Sequence, residues 1–184
     1  MEEFYHGTTV LFEEFDLSHA FEGDGKAKFG YGVYVTSSYP SAAHYSAANP
    51  NATTHYVYTV EIPDLQEDNY IAFKEPVKPS VLKKATEKLG VTIPEKVTTD
   101  GKLFRKYLAK QLTGNHDIAG EKAASAFLDS IGVDYIVWPY NWKNPSLGTN
   151  RAVLNDKKVR ITRVDEVEVD DKKQLVAGSE KQVR

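Results

Sequence analysis

The chain has 184 residues, 41% hydrophobic and 27% charged, the make-up of one globular domain large enough to fold without disulfides or metal. Charge sums to −3, from 23 Lys and Arg against 26 Asp and Glu, which argues against a generally basic nucleic-acid binder. Cysteine is absent, and this excludes disulfide scaffolds, thiol catalysis and cysteine zinc sites.

In chain order, Met1-Glu2-Glu3-Phe4-Tyr5-His6 is too acidic and polar to read as a signal peptide. Phe4-Tyr5-His6 itself reads as a short strand. Residues 12–29 are polar and carry glycines, predicting mainly a loop. Val33-Tyr34-Val35-Thr36 is β-branched and aromatic, a strand. Ser37-Ser38-Tyr39-Pro40 then offers an N-cap and an early proline, so the alanine-rich stretch Ser41 to Ala48 should be a short helix stopped near Asn49-Pro50. The strongest strand signal runs from Thr54 to Ile62 and is closed by Pro63, with a shorter one over Tyr70 to Phe73. Helices are expected over Ser80 to Leu89, Gly101 to Leu112 and Gly120 to Ile131, ended by Gly90, Gly114 and Gly132. Strands return at Tyr135–Trp138, Arg151–Leu154 and Val159–Val164. Strands at both ends with helices inserted between them predict an α+β fold. One domain over 1–169 is expected, followed by a polar, mobile tail over 170–184. No run approaches the ~18 apolar residues of a membrane helix, so no membrane partner is expected, and the missing thiols suit a reducing cytoplasm.

Several motifs fail on inspection. Gly23-Asp24-Gly25 lacks a third glycine at dinucleotide spacing, and Gly30-Tyr31-Gly32 is followed by a strand where a phosphate loop needs a helix. A calcium loop starting at Asp16 would need glycine where Phe21 stands. The five histidines, 6, 19, 44, 55 and 116, include no pair at HExxH spacing, and no metal site is expected.

Three segments read together say more than any one of them. Tyr5-His6-Gly7-Thr8-Thr9 places a histidine at a strand end, beside a glycine and two hydroxyls. Phe29-Gly30-Tyr31-Gly32-Val33-Tyr34-Val35-Thr36 sets glycines before a strand that carries an aromatic. Tyr45 follows in the next helix, eleven residues after Tyr34. A strand, a tight turn and two helical turns can bring Tyr45 back over Tyr34, leaving a slot for a flat aromatic ligand. The backbone of Gly7, with no Cβ in the way, suits a planar amide, and His6 suits donation to a sugar hydroxyl.

This pattern resembles the diphtheria-toxin-like branch of the ADP-ribosyltransferases, which includes the poly(ADP-ribose) polymerases. It is most similar to the small ADP-ribosyltransferase-like domains of bacterial and phage polyvalent proteins and effectors. The matching residues are His6-Gly7-Thr8, Gly30-x-Gly32-Val33-Tyr34-Val35 and Tyr45. The loop from Asp16 through Gly23-Asp24-Gly25 to Gly30 resembles the family's loop over the dinucleotide. Gly132-Val133-Asp134-Tyr135-Ile136 and Gly148 to Leu154 resemble its last strands. The likeness spans most of 4–164, strongest over 4–48 and weak across 76–130.

The resemblance implies a split antiparallel β-sheet core with inserted helices, and NAD as substrate. His6 would bond a ribose hydroxyl, Gly7 the carboxamide, and Thr8 the adenine ribose, while Tyr34 and Tyr45 sandwich the nicotinamide and Gly32 opens the tyrosine strand. Two departures stand out. Where the family often places a serine, eight residues after the first tyrosine, this chain has Ala42. Where the polymerases place a catalytic glutamate, the alignment of the last strands puts Asn150. Asparagine can bond a hydroxyl, but it cannot take a proton or carry charge toward an oxocarbenium-like transition state. Glu166 and Glu168 could take that part only with a different strand register.

The resemblance therefore implies mono-ADP-ribosyl transfer, with His6, Tyr34 and Asn150 as the catalytic set and a protein or nucleic acid as acceptor. Alternatives are an NAD glycohydrolase and a non-catalytic NAD- or ADP-ribose-binding module. It also implies a bacterial or phage toxin, effector or defence role in the cytoplasm of the producing or target cell, with an immunity or antitoxin partner. Taken singly, His6 reads as a satisfied core histidine, Tyr34 and Tyr45 as packing, and the glycines as turn and bulge. Lys102, Arg105, Lys106 and Lys110 recur at helical spacing opposite Leu103, Phe104, Tyr107, Leu108 and Leu112. A solvated face outweighs a basic binding stripe there. Trp138 and Trp142 bracket an aromatic loop that either shapes an acceptor site or covers the core.

Overall fold

A computed structural model describes residues 1–19 and 27–184. Its strands are β1 (Glu2–Thr8), β2 (Val33–Thr36), β3 (His55–Ile62), β4 (Tyr70–Ala72), β5 (Tyr135–Pro139), β6 (Thr149–Val153), β7 (Arg160–Val167) and β8 (Lys181–Gln182). Its helices are α1 (Tyr39–Ser46), α2 (Pro79–Leu89), α3 (Gly101–Thr113) and α4 (Ile118–Ser130). This is a mixed α+β fold on an eight-stranded sheet, ordered β4-β5-β6-β2-β1-β3-β7-β8.

The sheet departs from an all-antiparallel core at one edge, where β4 and β5 run parallel with Ile71 opposite Ile136. A parallel pair needs a long crossover, and the segment carrying α2, α3 and α4 supplies it. Three of the four helices start at a side-chain cap, and α2 starts at Pro79 without one. Ser38 Oγ accepts from the Ser41 amide at α1, and Asp100 and Asp117 accept from Leu103 and Gly120 at α3 and α4. Gly90 and Gly114, both at positive φ, close α2 and α3. The Asp117 cap starts α4 two residues before the expected Gly120, and α1 begins at Tyr39 because the Ser38 cap precedes the proline.

The two faces of the sheet bury different cores. Val81, Phe104, Leu108, Ala124 and Leu128 of the helical crossover pack on Ile71, Ile136 and Ala152. Alternation along the strands turns Val33, Val35, Tyr135 and Val153 to the opposite side, with Phe4, Tyr58, Val60 and Val164. A smaller cluster, Ala42, Ala43, Val57 and Val167, seats α1 on β1, β3 and β7.

One joint in this sheet is nearly open. β1 pairs β3 at seven positions, from Glu2↔Ile62 to Thr8↔Tyr56, yet it meets β2 only at Tyr5↔Thr36. Beyond that pair the two strands part. Residues 170–184, expected as a mobile tail, lie against the sheet: Gln182 pairs Asp165 and Lys181 pairs Glu166, and the Arg184 guanidinium donates to the Phe12 carbonyl at 2.7 Å. The polar composition hides this because the pairing is made by backbone and chain end, with Leu175 adding apolar contact to the small α1 cluster.

Candidate functional site

The parting of β1 and β2 is bridged by a side chain. His6 Nδ1 lies 2.6 Å from the Tyr34 carbonyl oxygen. A carbonyl can only accept, so Nδ1 carries the proton, and in the neutral ring Nε2 keeps a lone pair. The ring packs edge-on to Phe15 at 5.0 Å, with Phe12 and Tyr58 further out. Burial pushes its pKa down, opposed by the Tyr34 carbonyl bond. The sequence suggested a His6 that donates to a sugar hydroxyl; with Nδ1 committed to Tyr34, the neutral ring offers Nε2 as an acceptor instead.

A cavity of about 380 Å³ opens where the strands part. His6, Gly7, Tyr34, Tyr45 and Asn150 all line it. Thr36, Phe29 and Trp138 are among its other walls. The register explains the grouping: Asn150 stands opposite both Thr36 and Trp138, and Tyr34, two residues from Thr36, shares their face. Tyr45 reaches the same place from α1.

Tyr34 is fixed through its hydroxyl, which donates to the Gly30 carbonyl at 2.8 Å and accepts from the Phe29 amide at 3.1 Å. Burial pushes its pKa up to about 12, so it stays neutral in any physiological solution. These bonds tie the ring to the turn before β2. Phe29 in that turn stacks flat on Trp138, centroids 4.0 Å apart and planes 4° from parallel. The stacked pair is a wall that sequence reading missed. Phe29 stood beside the noted Gly30, but nothing in the spacing pairs it with a tryptophan more than a hundred residues away.

Asn150 is 5% exposed, and its Nδ2 donates to the Tyr45 hydroxyl at 3.1 Å. The Oδ1 atom is buried with no hydrogen-bond partner. Turning the amide over would pair Oδ1 with the Tyr45 hydroxyl and orphan Nδ2 instead, so one polar atom stays unmet either way. Tyr45 itself is 43% exposed. Burial raises its pKa, and the Asn150 bond lowers it. Among the described residues, no Asp, Glu, Lys or Arg lines this cavity.

Gly7 has a packing reason of its own. A Cβ there would run into the Ala42 carbonyl of α1, so the glycine lets α1 lie on β1. Ala42, where a serine was looked for, is fully buried at this same contact. Gly32 is similarly constrained, since its Cβ would stand 2.7 Å from the Val153 carbonyl. It lines a second cavity of about 560 Å³, together with Phe12, Phe15, Glu14 and Asp16. His6 and Tyr34 line both cavities. Thr8 lines neither, and its hydroxyl accepts from the Val10 amide at 3.3 Å.

Glu166 sits in β7 opposite Tyr56, and Glu168 follows the strand. Both line a different hollow, with His55 and Lys181. The loop residues Gly23, Asp24 and Gly25, expected over a dinucleotide, lie outside the described residues. Among the described residues no group of three or more His, Asp or Glu is placed to hold a metal ion, and no helix is long and apolar enough to cross a membrane. Comparison with protein-family models, curated proteins and solved structures gives no match.

Proposed function

We propose that this chain binds NAD across the two cavities and transfers its ADP-ribose to a macromolecular acceptor as a mono-ADP-ribosyltransferase. The observation that carries the reading is the convergence of His6, Gly7, Tyr34, Tyr45 and Asn150, from three strands and one helix, on one cavity. Its volume falls in the range of small-molecule sites. The shared lining by His6 and Tyr34 suits an elongated ligand that continues into the second cavity. The opening between β1 and β2 fits the split sheet that the resemblance to diphtheria-toxin-like ADP-ribosyltransferases implies.

In this reading the nicotinamide lies among the aromatic walls, and the unmet Asn150 atom bonds a polar group of the ligand. His6 Nε2 accepts from a ribose hydroxyl, which fixes the sugar. The bond between the nicotinamide nitrogen and ribose C1′ breaks, and its electron pair leaves with the neutral nicotinamide. The acceptor nucleophile bonds C1′ from the opposite face, and its proton passes to a base of the acceptor or to water. Among the described residues the cavity offers no carboxylate for that proton, so rate comes from orientation more than from general-base catalysis.

That same lack supports the second reading, a module that binds NAD or ADP-ribose without turnover. Release of free nicotinamide from NAD, measured with and without cell lysate, separates the two. Transfer predicts release that needs lysate and is lost in Tyr45→Ala. Asn150→Glu should then raise release in buffer alone, by placing a carboxylate beside the sugar. No release under any condition, with NAD still bound, favours the binding module; release in buffer by the unaltered chain favours hydrolysis.

A further inference from the structure

We propose that the hollow between α3, α4 and the turn before β2 is a binding site for a phosphate group, separate from the candidate NAD cleft. The hollow measures about 650 Å³ and is lined by Lys28 of the turn, Lys102, Arg105 and Lys106 of α3, and His116 ahead of α4. Arg105, expected on a solvated face, is 2% exposed.

Its guanidinium is only partly satisfied. Nε donates to the Glu121 carboxylate at 3.0 Å, and Nη2 donates to the Lys28 carbonyl at 3.0 Å. Nη1 is buried and has no acceptor. A buried donor on a charged group costs more to leave unmet than a neutral one. Two carboxylates also line the hollow. Glu121 Oε1 takes Arg105 Nε and, at 2.5 Å, His116 Nε2; its Oε2 has no hydrogen-bond partner but lies 2.9 Å from Arg105 Nε in the ion pair. Asp117 caps α4 through the Gly120 amide. Lys28, Lys102 and Lys106 form no ion pair among the described residues.

The lining therefore keeps an excess of positive charge around an underused guanidinium, beside the first turn of a 13-residue helix. That combination suits phosphate oxygens, which take several N–H donors at once and favour a helix start. The ligand would also touch the turn that Tyr34 holds, since Arg105 Nη2 and the Tyr34 hydroxyl bond carbonyls two residues apart, Lys28 and Gly30.

The test is calorimetric titration of inorganic pyrophosphate into the full chain at low salt, for the unaltered protein, Lys102→Glu/Lys106→Glu and Lys110→Glu. Lys110 lies on α3 but outside the hollow, and controls for overall charge. A built site predicts one saturable event, weakened at least tenfold by the double substitution and less than twofold by Lys110→Glu, with thermal midpoints unchanged. Equal weakening by both, or no saturable binding, overturns it. Competition by a 5′-phosphorylated oligonucleotide but not its unphosphorylated form would make a polymer end the source of the phosphate. Failure of both to compete would make it a small molecule. Neither lysine lines the NAD cleft, so this result stands or falls apart from nicotinamide release.

Discussion

His6 joins the two cavities, and its protonation state follows from where it stands. Its ordinary pKa of 6.5 is lowered by burial in the folded chain, so between those two values the unfolded state holds more protons than the native one. Stability is then fullest above about pH 6.5 and falls as pH drops toward the lowered folded value. Urea unfolding at pH 7.5 and 5.5 should show a lower midpoint at the acid pH, with the difference reduced in His6→Gln. The same substitution removes the Nε2 acceptor that the proposed NAD complex would use for a ribose hydroxyl. Asn150 is the complementary case. Its residual amide atom has no protein partner, and a bound ligand is the natural place for one, because an unmet buried polar atom costs about 1–3 kcal/mol.

At the scale of elements, the cleft depends on how closely α1 can lie on β1. Gly7 sets that distance, because any side chain meets the Ala42 carbonyl. Gly7→Ala must push α1 outward, carrying Tyr45 with it. We expect a loss of about 2–3 kcal/mol by chemical denaturation, in the range of overpacked cores, together with weaker NAD binding. A stability within about 0.5 kcal/mol of the unaltered chain would contradict this account of the contact. Elements with a local signature were legible in the sequence: the β-branched β3, the Ser38-capped α1, and α2 and α3 with their closing glycines. Much of the candidate site was also legible, since His6, Tyr34 and Tyr45 sit near recognisable turns, and Asn150 can be placed from the strands around it. Contacts between distant segments were not. The Phe29–Trp138 stack, the buried Arg105–Glu121 pair and the parallel β4–β5 edge all depend on the path of the crossover, which no local pattern encodes. Arg105 shows the reason well: its helical spacing matched a solvated stripe, but the turn at Lys28 and Gly30 folds over it.

For the whole molecule, the sheet is continuous by backbone pairing except at one joint, and that joint is where the candidate ligand-binding residues gather. Helices cover one side of it and α1 another, while the segment around Phe12 and Phe15 walls the second cavity. That segment is held by Tyr58, whose hydroxyl accepts from the Phe12 amide at 2.8 Å, and by Arg184 through the Phe12 carbonyl. These two contacts hold that wall of the second cavity to β3 and to the chain end. The most direct measurement of the central claim is calorimetric titration of NAD into the unaltered chain and into Tyr45→Ala, whose half-exposed ring can be removed without opening the core. The account predicts saturable one-to-one binding that weakens at least tenfold in the variant while its thermal midpoint holds. NAD binding that is undetectable in the unaltered chain, or equal in the two proteins, would contradict it.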